Sequence, residues 1–406
     1  MKEILYIQAG TQANYIGTHF WNTQESYFTY GDDEEPEISH GISFREGLNQ
    51  KAEPTFCPRL LAFDYKAQFG TLNQTNALFG AEDDDSNAHQ ILWNGNAVEY
   101  RQEPVGKSQY QIHMDELDSD SSDADAAALQ QEDVRYWSDF NRVYYVPRTV
   151  QKIPDVAEWE DVEGNWAAGH QTFERYDEDT GLMEGPLRLF LEECETIQGI
   201  QLMHDTSTFG SFMNSFLTSL HDEFLKLPLL AWPLLSNPGL SFVNTDAQRE
   251  TRKIVNDALV LRSLAELSSI SIPIQSPTSW PDELCTNIYM NASKAHLYHT
   301  SAILSAHIET ATIPLRLIPA KDDIQSFCAQ LDWRASFPFA ELSGVFPQAN
   351  TVELENRMYN FSSSTSRTTV AKTTRRDVTR GFSSESIISY DELCNRTGIS
   401  GTIISR

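Results

Sequence analysis

Residues 1–21 of this 406-residue chain read MKEILYIQAGTQANYIGTHFW, and this stretch decides the fold class. The run Ile4-Leu5-Tyr6-Ile7 contains no charged residue, which is typical of a strand that is buried on both faces. Gly10 ends the run, and Ile16 and Phe20 follow at the four-residue spacing of one helix face. The stretch therefore predicts a buried strand, a tight turn and a helix.

The same alternation of strand and helix continues along the chain. Further strands are predicted at 60–64, 143–146, 199–203 and 229–235, and helices at 186–195, from about 212 to 226, and at 246–267. Strands that alternate with helices favour an α/β fold in which helices flank a parallel sheet. Such sheets bind ligands at the carboxyl ends of their strands.

The composition is globular but strongly acidic, since 30 Lys and Arg stand against 58 Asp and Glu and the net charge is −28. Phosphate backbones bind basic surfaces, so this charge argues against direct binding of nucleic acid. The five cysteines are scattered without a C-x-x-C pair, which indicates buried thiols in a reducing compartment. No run reaches the roughly 20 apolar residues of a membrane-spanning helix, and the first residues resemble neither a signal nor a transit peptide.

Acidic clusters divide the chain before residue 165, and they are predicted to be solvated surface loops because like charges repel. We predict an N-terminal segment at 1–115, an acidic low-complexity linker at 116–133 and a segment at 134–350 that continues the sheet. The remaining residues, 351–406, are expected to form a reduced and largely irregular tail.

Four segments, in order, resemble tubulin: residues 1–21, PRLLAFD at 58–64, GNWAAGH at 164–170 and GIQLMH at 199–204. They are similar to tubulin's first nucleotide loop, the strand before its second loop, its γ-phosphate loop and the strand that enters its glycine-rich phosphate loop. A fifth segment, VRYWSDFNRVYYVPR at 134–148, does not belong to tubulin. With the tubulin-like opening, it resembles the Misato family, in particular the fungal mitochondrial-inheritance branch of that family.

This resemblance, which covers about residues 1–270, implies a tubulin-like nucleotide-binding-domain fold, here with acidic insertions. It also implies a role in mitochondrial distribution and in the inheritance of mitochondrial DNA. The positions that match tubulin's nucleotide site are predicted to form a vestigial pocket, with no catalytic or metal-ligating residue. They are Gly10, Gln12, Asn14, Asp64, Gly164, Asn165, Gly210, Ser211 and Asn256. Asn256 resembles tubulin's guanine-reading asparagine, and an exposed helix residue is the alternative interpretation.

The chain departs from tubulin where tubulin holds phosphate. The phosphate loop is matched by DTSTFGSF at 205–212, in which only Gly210 remains of the glycines that expose backbone amides. Asp205 adds a negative charge beside the expected triphosphate, and Lys66 replaces an acidic residue on tubulin's magnesium side. Two readings are open for Lys66: a phosphate contact or a solvated side chain. After the helix at 246–267, interpreted as the core helix, no loop resembles the one that activates hydrolysis between tubulin subunits.

These departures favour a non-enzymatic tubulin-like factor in the partitioning of mitochondria and in mitochondrial DNA inheritance, with no bound cofactor. Two alternatives remain open: a GTP-binding switch or GTPase of the tubulin superfamily, and a cytosolic assembly factor for tubulin-like partners. We expect unidentified protein partners at the mitochondrial outer surface and a cytosolic pool of the protein. We expect no direct contact with nucleic acid and no transmembrane segment.

Overall fold

A computed structural model of the chain describes most of the predicted sheet and its helices. The described residues are 2–28, 36–48, 54–73, 106–112, 134–155, 165–237, 246–287, 290–318, 322–335, 337–346, 358–363, 374–380, 382, 387–388 and 400–405. The linker predicted at 116–133 and the predicted site residue Gly164 lie outside these ranges.

Six parallel strands form the central sheet. Its strands are, in chain order, β1 (Glu3–Ala9), β4 (Leu60–Tyr65), β5 (Val150–Ile153), β6 (Ile197–Asp205), β7 (Leu229–Leu234) and β8 (Ile270–Ser271). Between β1 and β4 the chain forms a separate antiparallel pair, β2 (Phe44–Leu48) and β3 (Pro54–Pro58). Across the sheet the order is β5-β4-β1-β6-β7-β8. Ala9 pairs with Phe63 on one side and with His204 on the other, so β4, β1 and β6 end side by side.

Helices cover both faces of the sheet. They are α1 (Thr11–Ser26), α2 (Trp166–Thr180), α3 (Arg188–Glu192), α4 (Thr206–Glu223), α5 (Asp246–Leu267), α6 (Asp282–Cys285), α7 (Leu297–Thr312) and α8 (Ile324–Leu331). Ile4 and Tyr6 of β1 enter a core with α1, α7 and α8, whereas Leu5 and Ile7 enter a core with α2 to α5. The predicted α/β fold, a parallel sheet flanked by helices, is confirmed.

The strand predicted at 143–146 is wrong. Residues Trp137–Phe140 form a 3₁₀ turn, no strand includes 143–146, and the edge strand β5 begins only after Pro147. Val143 and Tyr145 are buried, together with Trp137 and Phe140, in the core that contains α1. Their apolar character therefore reflects packing over α1 rather than membership of the sheet.

The helix predicted at 246–267 is confirmed as α5. Because α5 connects β7 to β8, which are neighbouring parallel strands, it is a crossover helix within the sheet. The helix that follows the last strand and packs against α1 is α7. The interpretation of α5 as the counterpart of tubulin's core helix stays a prediction.

Within the described part of the region at 351–406, three segments are strands, and the largely irregular character of the whole region stays a prediction. After a short hairpin of β9 (Thr286–Asn287) and β10 (Met290–Asn291), β11 (Ser343–Gly344) pairs with β12 (Tyr359–Asn360). Further on, β13 (Thr374–Thr379) pairs in parallel with β14 (Ser400–Ser405). The strand β13 was not predictable from an apolar pattern, because arginine side chains attach it to α7 and α8.

No helix among the residues that the structure describes is long and apolar enough to cross a membrane.

Candidate functional site at the carboxyl edge of the sheet

The central feature of the site is the absence of a loop between two strands and the helices that follow them. Gly10 alone separates β1 from α1, and α4 begins at Thr206, directly after Asp205 at the end of β6. The predicted start of this helix at about residue 212 is therefore wrong, because the helix begins at Thr206. The residues that match tubulin's phosphate loop are instead the first two turns of α4.

The carboxylate of Asp205 binds the N-terminus of α1. Its Oδ2 accepts a hydrogen bond from the backbone N–H of Gln12 at 3.0 Å, and its Oδ1 accepts one from the N–H of Ala13 at 2.9 Å. First-turn amides of a helix have no partner within the helix and are a common binding site for phosphate. A carboxylate of the chain itself therefore occupies the donors that a bound phosphate would need.

Gly10 is required by this contact. Its φ of +103° lies in the region that favours glycine, and a Cβ atom at this position would lie 2.5 Å from Oδ2 of Asp205. The glycine that sequence reasoning assigned to a close approach of nucleotide thus permits the close approach of Asp205.

Asp64 is fully buried and its oxygens are shared among four donors. Oδ1 accepts from the backbone N–H of Tyr65 at 2.9 Å and from the Thr11 hydroxyl at 3.3 Å. Oδ2 accepts from Asn14 Nδ2 and from Trp137 Nε1, both at 3.1 Å. Trp137 belongs to the segment at 134–148, so that segment is linked directly to the predicted nucleotide site.

Burial raises the pKa of both carboxyl groups. The pKa of Asp64 rises to about 7, although its four donors favour the charged form. The pKa of Asp205 also rises to about 7, first because of burial and then because of the nearby charge of Asp64, while the amides of Gln12 and Ala13 oppose the rise. Neutral pH therefore lies close to the titration of both groups.

Gly210 and Ser211 lie inside α4 rather than in a phosphate loop. A Cβ atom on Gly210 would lie 2.6 Å from Cγ2 of Val260, so the missing side chain lets α4 and α5 approach closely. The Ser211 hydroxyl donates a hydrogen bond to the carbonyl oxygen of Trp166, at the start of α2. Both residues thus position helices.

Asn165 and Asn256 lie together, in a second place. The Asn165 side chain caps α2 by accepting from the N–H groups of Ala167 and Ala168 at 3.1 and 3.3 Å. Asn256 is buried, and its Nδ2 lies 3.5 Å from the carbonyl oxygen of Ser207, so the exposed alternative is wrong. Both asparagines line a cavity of about 550 Å³ between α2 and α5, along with Trp166, Gln248, Thr251, Arg252 and Val255.

The structure thus divides the predicted pocket. Four of its residues, Gly10, Gln12, Asn14 and Asp64, surround the contact between Asp205 and α1, but they do not line the cavity that Asn165 and Asn256 share. Lys66 is exposed just after β4. Whether any of these residues binds a nucleotide stays a prediction.

Sequence reasoning missed two further residues of this edge. Asp205 was recognised as a charge that repels phosphate, but not as the ligand of α1. Asp257 was not recognised: its carboxylate accepts from the Thr206 hydroxyl and, at 2.7 Å, from the Ser236 hydroxyl, which joins the start of α4 to the chain that follows β7. Its position next to Asn256 was the only signal in the sequence.

The histidines do not assemble a metal site in the described part of the chain, where no three His, Cys, Asp or Glu side chains cluster with metal-binding geometry. The His299 ring instead accepts from the backbone N–H of Ser293 at 3.0 Å.

Comparisons with known proteins agree with this fold. The family model described as Misato Segment II tubulin-like domain matches residues 2–116, and the one described as Tubulin domain matches residues 126–317. Protein DML1 of Gibberella zeae is 37% identical over 78% of this chain and 61% of its own length. Protein DML1 of Phaeosphaeria nodorum is 36% identical over 78% of this chain and 59% of its own length. Protein misato of Drosophila melanogaster is 29% identical over 80% of this chain and 62% of its own length. The chain thus spans about three fifths of the length of the curated relatives it matches.

We expect Gly210→Ala to destabilise the fold by about 1–3 kcal/mol, because a methyl group there overlaps Val260 and forces α4 and α5 apart. Urea unfolding followed by circular dichroism measures this free energy. The control is Gly185→Ala, since a Cβ atom at Gly185 would meet nothing within 4 Å. Equal stability of the two variants would show that the missing side chain of Gly210 is not a packing requirement.

We also expect Asp205→Asn to gain stability relative to the wild type as the pH rises from 5 to 8. The folded protein retains the Asp205 proton up to a pKa of about 7, whereas the unfolded chain releases it near 3.8, so this carboxyl lowers the free energy of unfolding as the pH rises. Asparagine cannot titrate and removes that loss. The pKa values of His19 and His204, both lowered to about 4 by burial, act in the opposite direction in acid, so the difference between variants is the relevant quantity.

Thermal melts at several pH values test this expectation, with Asp222→Asn, an exposed residue of α4, as the control for loss of one charge. A loss of relative stability by Asp205→Asn with rising pH would mean that the α1 amides hold the Asp205 pKa below its usual value.

Proposed function

The chain belongs to the Misato family of tubulin-like proteins, and we propose that it is a non-enzymatic factor in the partitioning of mitochondria and in mitochondrial DNA inheritance. The family supports the mitochondrial part of this proposal. The observation that carries the non-enzymatic part is the Asp205 carboxylate, which accepts from the Gln12 and Ala13 amides at 3.0 and 2.9 Å.

The energy of this contact favours a protein that does not turn over nucleotide. A hydrogen bond to a charged group contributes about 1.5–3 kcal/mol, and each 1.4 kcal/mol changes affinity tenfold. A phosphate that forfeits both amides would therefore lose a factor of about a hundred to ten thousand in affinity. Moreover, the ionised forms of Asp205 and Asp64 would repel the phosphate in a site that burial makes poorly screened.

A GTP-binding switch is the second candidate function, and the cavity between α2 and α5 favours it. The cavity holds about 550 Å³ and combines an aromatic side chain, Trp166, with the amides of Asn165 and Asn256 and the guanidinium of Arg252. These groups suit a ligand with an aromatic ring and polar edges.

The protein is proposed to act on the outside of mitochondria, through protein partners, and to have a cytosolic pool. An assembly factor for tubulin-like partners remains the third candidate.

Titration calorimetry with GTP and GDP, with and without Mg²⁺, tests the nucleotide question. We expect dissociation constants in the micromolar range or weaker, and no release of phosphate. Val255→Arg should fill the cavity, while Ile254→Arg, an equally exposed neighbour on α5 that does not line it, serves as the matched control. Nanomolar GTP affinity that only Val255→Arg removes would establish the switch and contradict the proposal.

A depletion and rescue experiment tests the function itself. Cells depleted of the protein should lose mitochondrial DNA and normal mitochondrial distribution, and wild type, Val255→Arg and Ile254→Arg should all restore both. In the rescued cells, protease added to intact mitochondria should digest the bound protein.

Failure of Val255→Arg alone would favour the switch. Protection of the protein from the added protease would contradict a location on the outer surface. Unchanged mitochondrial DNA and distribution after depletion, with a defect in tubulin assembly instead, would favour the assembly factor.

A further inference from the structure

We propose that a surface between α7 and α8 binds an extended, arginine-bearing segment of a partner protein, and that the chain's own strand β13 occupies this surface. The arginine-binding surface is defined by Tyr27, Glu309, Asp322, Phe327 and Gln330. This inference goes beyond the proposed function, because the binding of a peptide to this surface does not depend on a mitochondrial role.

Two arginines attach β13 to this surface. Arg376 Nη1 donates to Oε1 of Gln330 at 2.6 Å, its Nη2 donates to Asp322, and its guanidinium lies 5.0 Å from the ring centre of Phe327. Arg380 Nη1 donates to Oε2 of Glu309 at 2.8 Å. Its guanidinium also lies 5.8 Å from the ring centre of Tyr27.

The spacing of the two arginines is that of an extended chain. Arg376 lies in β13 and Arg380 directly follows the last residue of the strand, Thr379, so the two arginines are four residues apart, which is about 13 Å of extended chain. The surface thus has two guanidinium sites, each of which combines a carboxylate with an aromatic ring. Arginine is suited to both groups because its planar cation forms hydrogen bonds at its edge and stacks on rings.

Glu309 keeps partners without Arg380. It is 1% exposed, and its Oε1 accepts from Gln24 Nε2 at 3.1 Å, from the Tyr27 hydroxyl at 3.0 Å and from Arg316 Nη2 at 3.3 Å. Arg316 is itself fully buried. Departure of Arg380 would therefore leave a carboxylate that is still paired, which is the condition for a binding site that survives when its occupant leaves.

The attachment of β13 is polar rather than apolar. Besides the arginine contacts, the Thr374 hydroxyl donates to the carbonyl oxygen of Leu331 at 2.8 Å, and Val378 is the single aliphatic side chain of the strand. Within the described chain β13 pairs with β14 alone, and two-stranded sheets are marginally stable. The Arg380 side chain is 37% exposed, and an ion pair at such a position contributes little and weakens with salt. The Arg376 side chain is 3% exposed, so salt screens its ion pair with Asp322 less.

Charge favours an arginine-bearing occupant from another protein. The chain has a net charge of −28, which attracts basic segments, and a partner segment with arginines four residues apart can make the contacts that β13 makes. Exchange of such a segment for β13 requires no rearrangement of Glu309, Arg316 or Tyr27.

Fluorescence anisotropy with a labelled peptide of residues 374–380, TRRDVTR, tests the proposal on the 406-residue chain. The double variant Arg376→Glu/Arg380→Glu should release its own strand and bind the peptide at least tenfold more tightly than wild type. The control Arg262→Glu/Arg334→Glu makes the same change of charge at two exposed positions and should bind like wild type. A peptide with alanine at both Arg376 and Arg380 should not bind, and Asp322→Asn in the releasing variant should weaken binding.

Equal peptide affinity of the releasing variant and wild type, no binding by the releasing variant, or equal binding of the alanine peptide would each overturn the proposal. Hydrogen exchange of the wild type provides a second test that needs no variant. The amides of β13 should exchange faster than those of β1, because β13 leaves the surface without global unfolding. If the β13 amides are as protected as those of β1, the strand does not leave and the proposal fails.

Discussion

The carboxyl edge of the sheet depends on one contact, in which the carboxylate of Asp205 accepts hydrogen bonds from the first turn of α1. This contact ties the end of β6 to the start of α1 and so joins the two central strands where β1 and β6 stop. Gly10 has the conformation and the lack of a side chain that this contact demands. Because the carboxylate is part of the chain, it is always present at high local concentration, and a free phosphate must compete with it. A helix N-terminus that is suited to phosphate is thereby occupied by a carboxyl group of the same chain.

The segment at 134–148 completes this internal arrangement. Trp137 donates to Asp64, and Asn14 donates to the same oxygen from α1, so the acidic end of β4 is bound to protein groups on two sides. Trp137, Phe140 and Tyr145 of the segment lie in the core that contains α1. Asp64, which could face a ligand, is instead part of a buried hydrogen-bond network. Breaking such a network leaves buried polar groups unpaired, so the network favours a single arrangement of these side chains.

The buried pair of Glu309 and Arg316 has a corresponding role on the face of α1 and α7. It connects α7 to Gln24 and Tyr27 of the α1 region on one side and to Arg380 on the other. A buried charge needs several partners, and here they come from parts of the chain that are far apart in sequence. The carboxylate of Asp205 thus connects the central strands to α1, and the carboxylate of Glu309 connects the segment around Arg380 to α7.

The sequence alone determined the class of fold, because the apolar runs of β1, β4, β6 and β7 and the period of their helices are local properties of the chain. It also located part of the carboxyl edge, since Gly10 and Asp64 stand where an apolar run stops. The tertiary structure decided which partners these residues meet. Asp205 reaches α1, Gly210 admits Val260, and Arg380 reaches Glu309, and each contact joins residues that are remote in sequence. The place of α5 between two strands and the attachment of β13 were decided in the same way. The period of the apolar residues indicates whether a side chain is buried. Which residues cover it depends on the order of the strands and on how closely the helices approach one another.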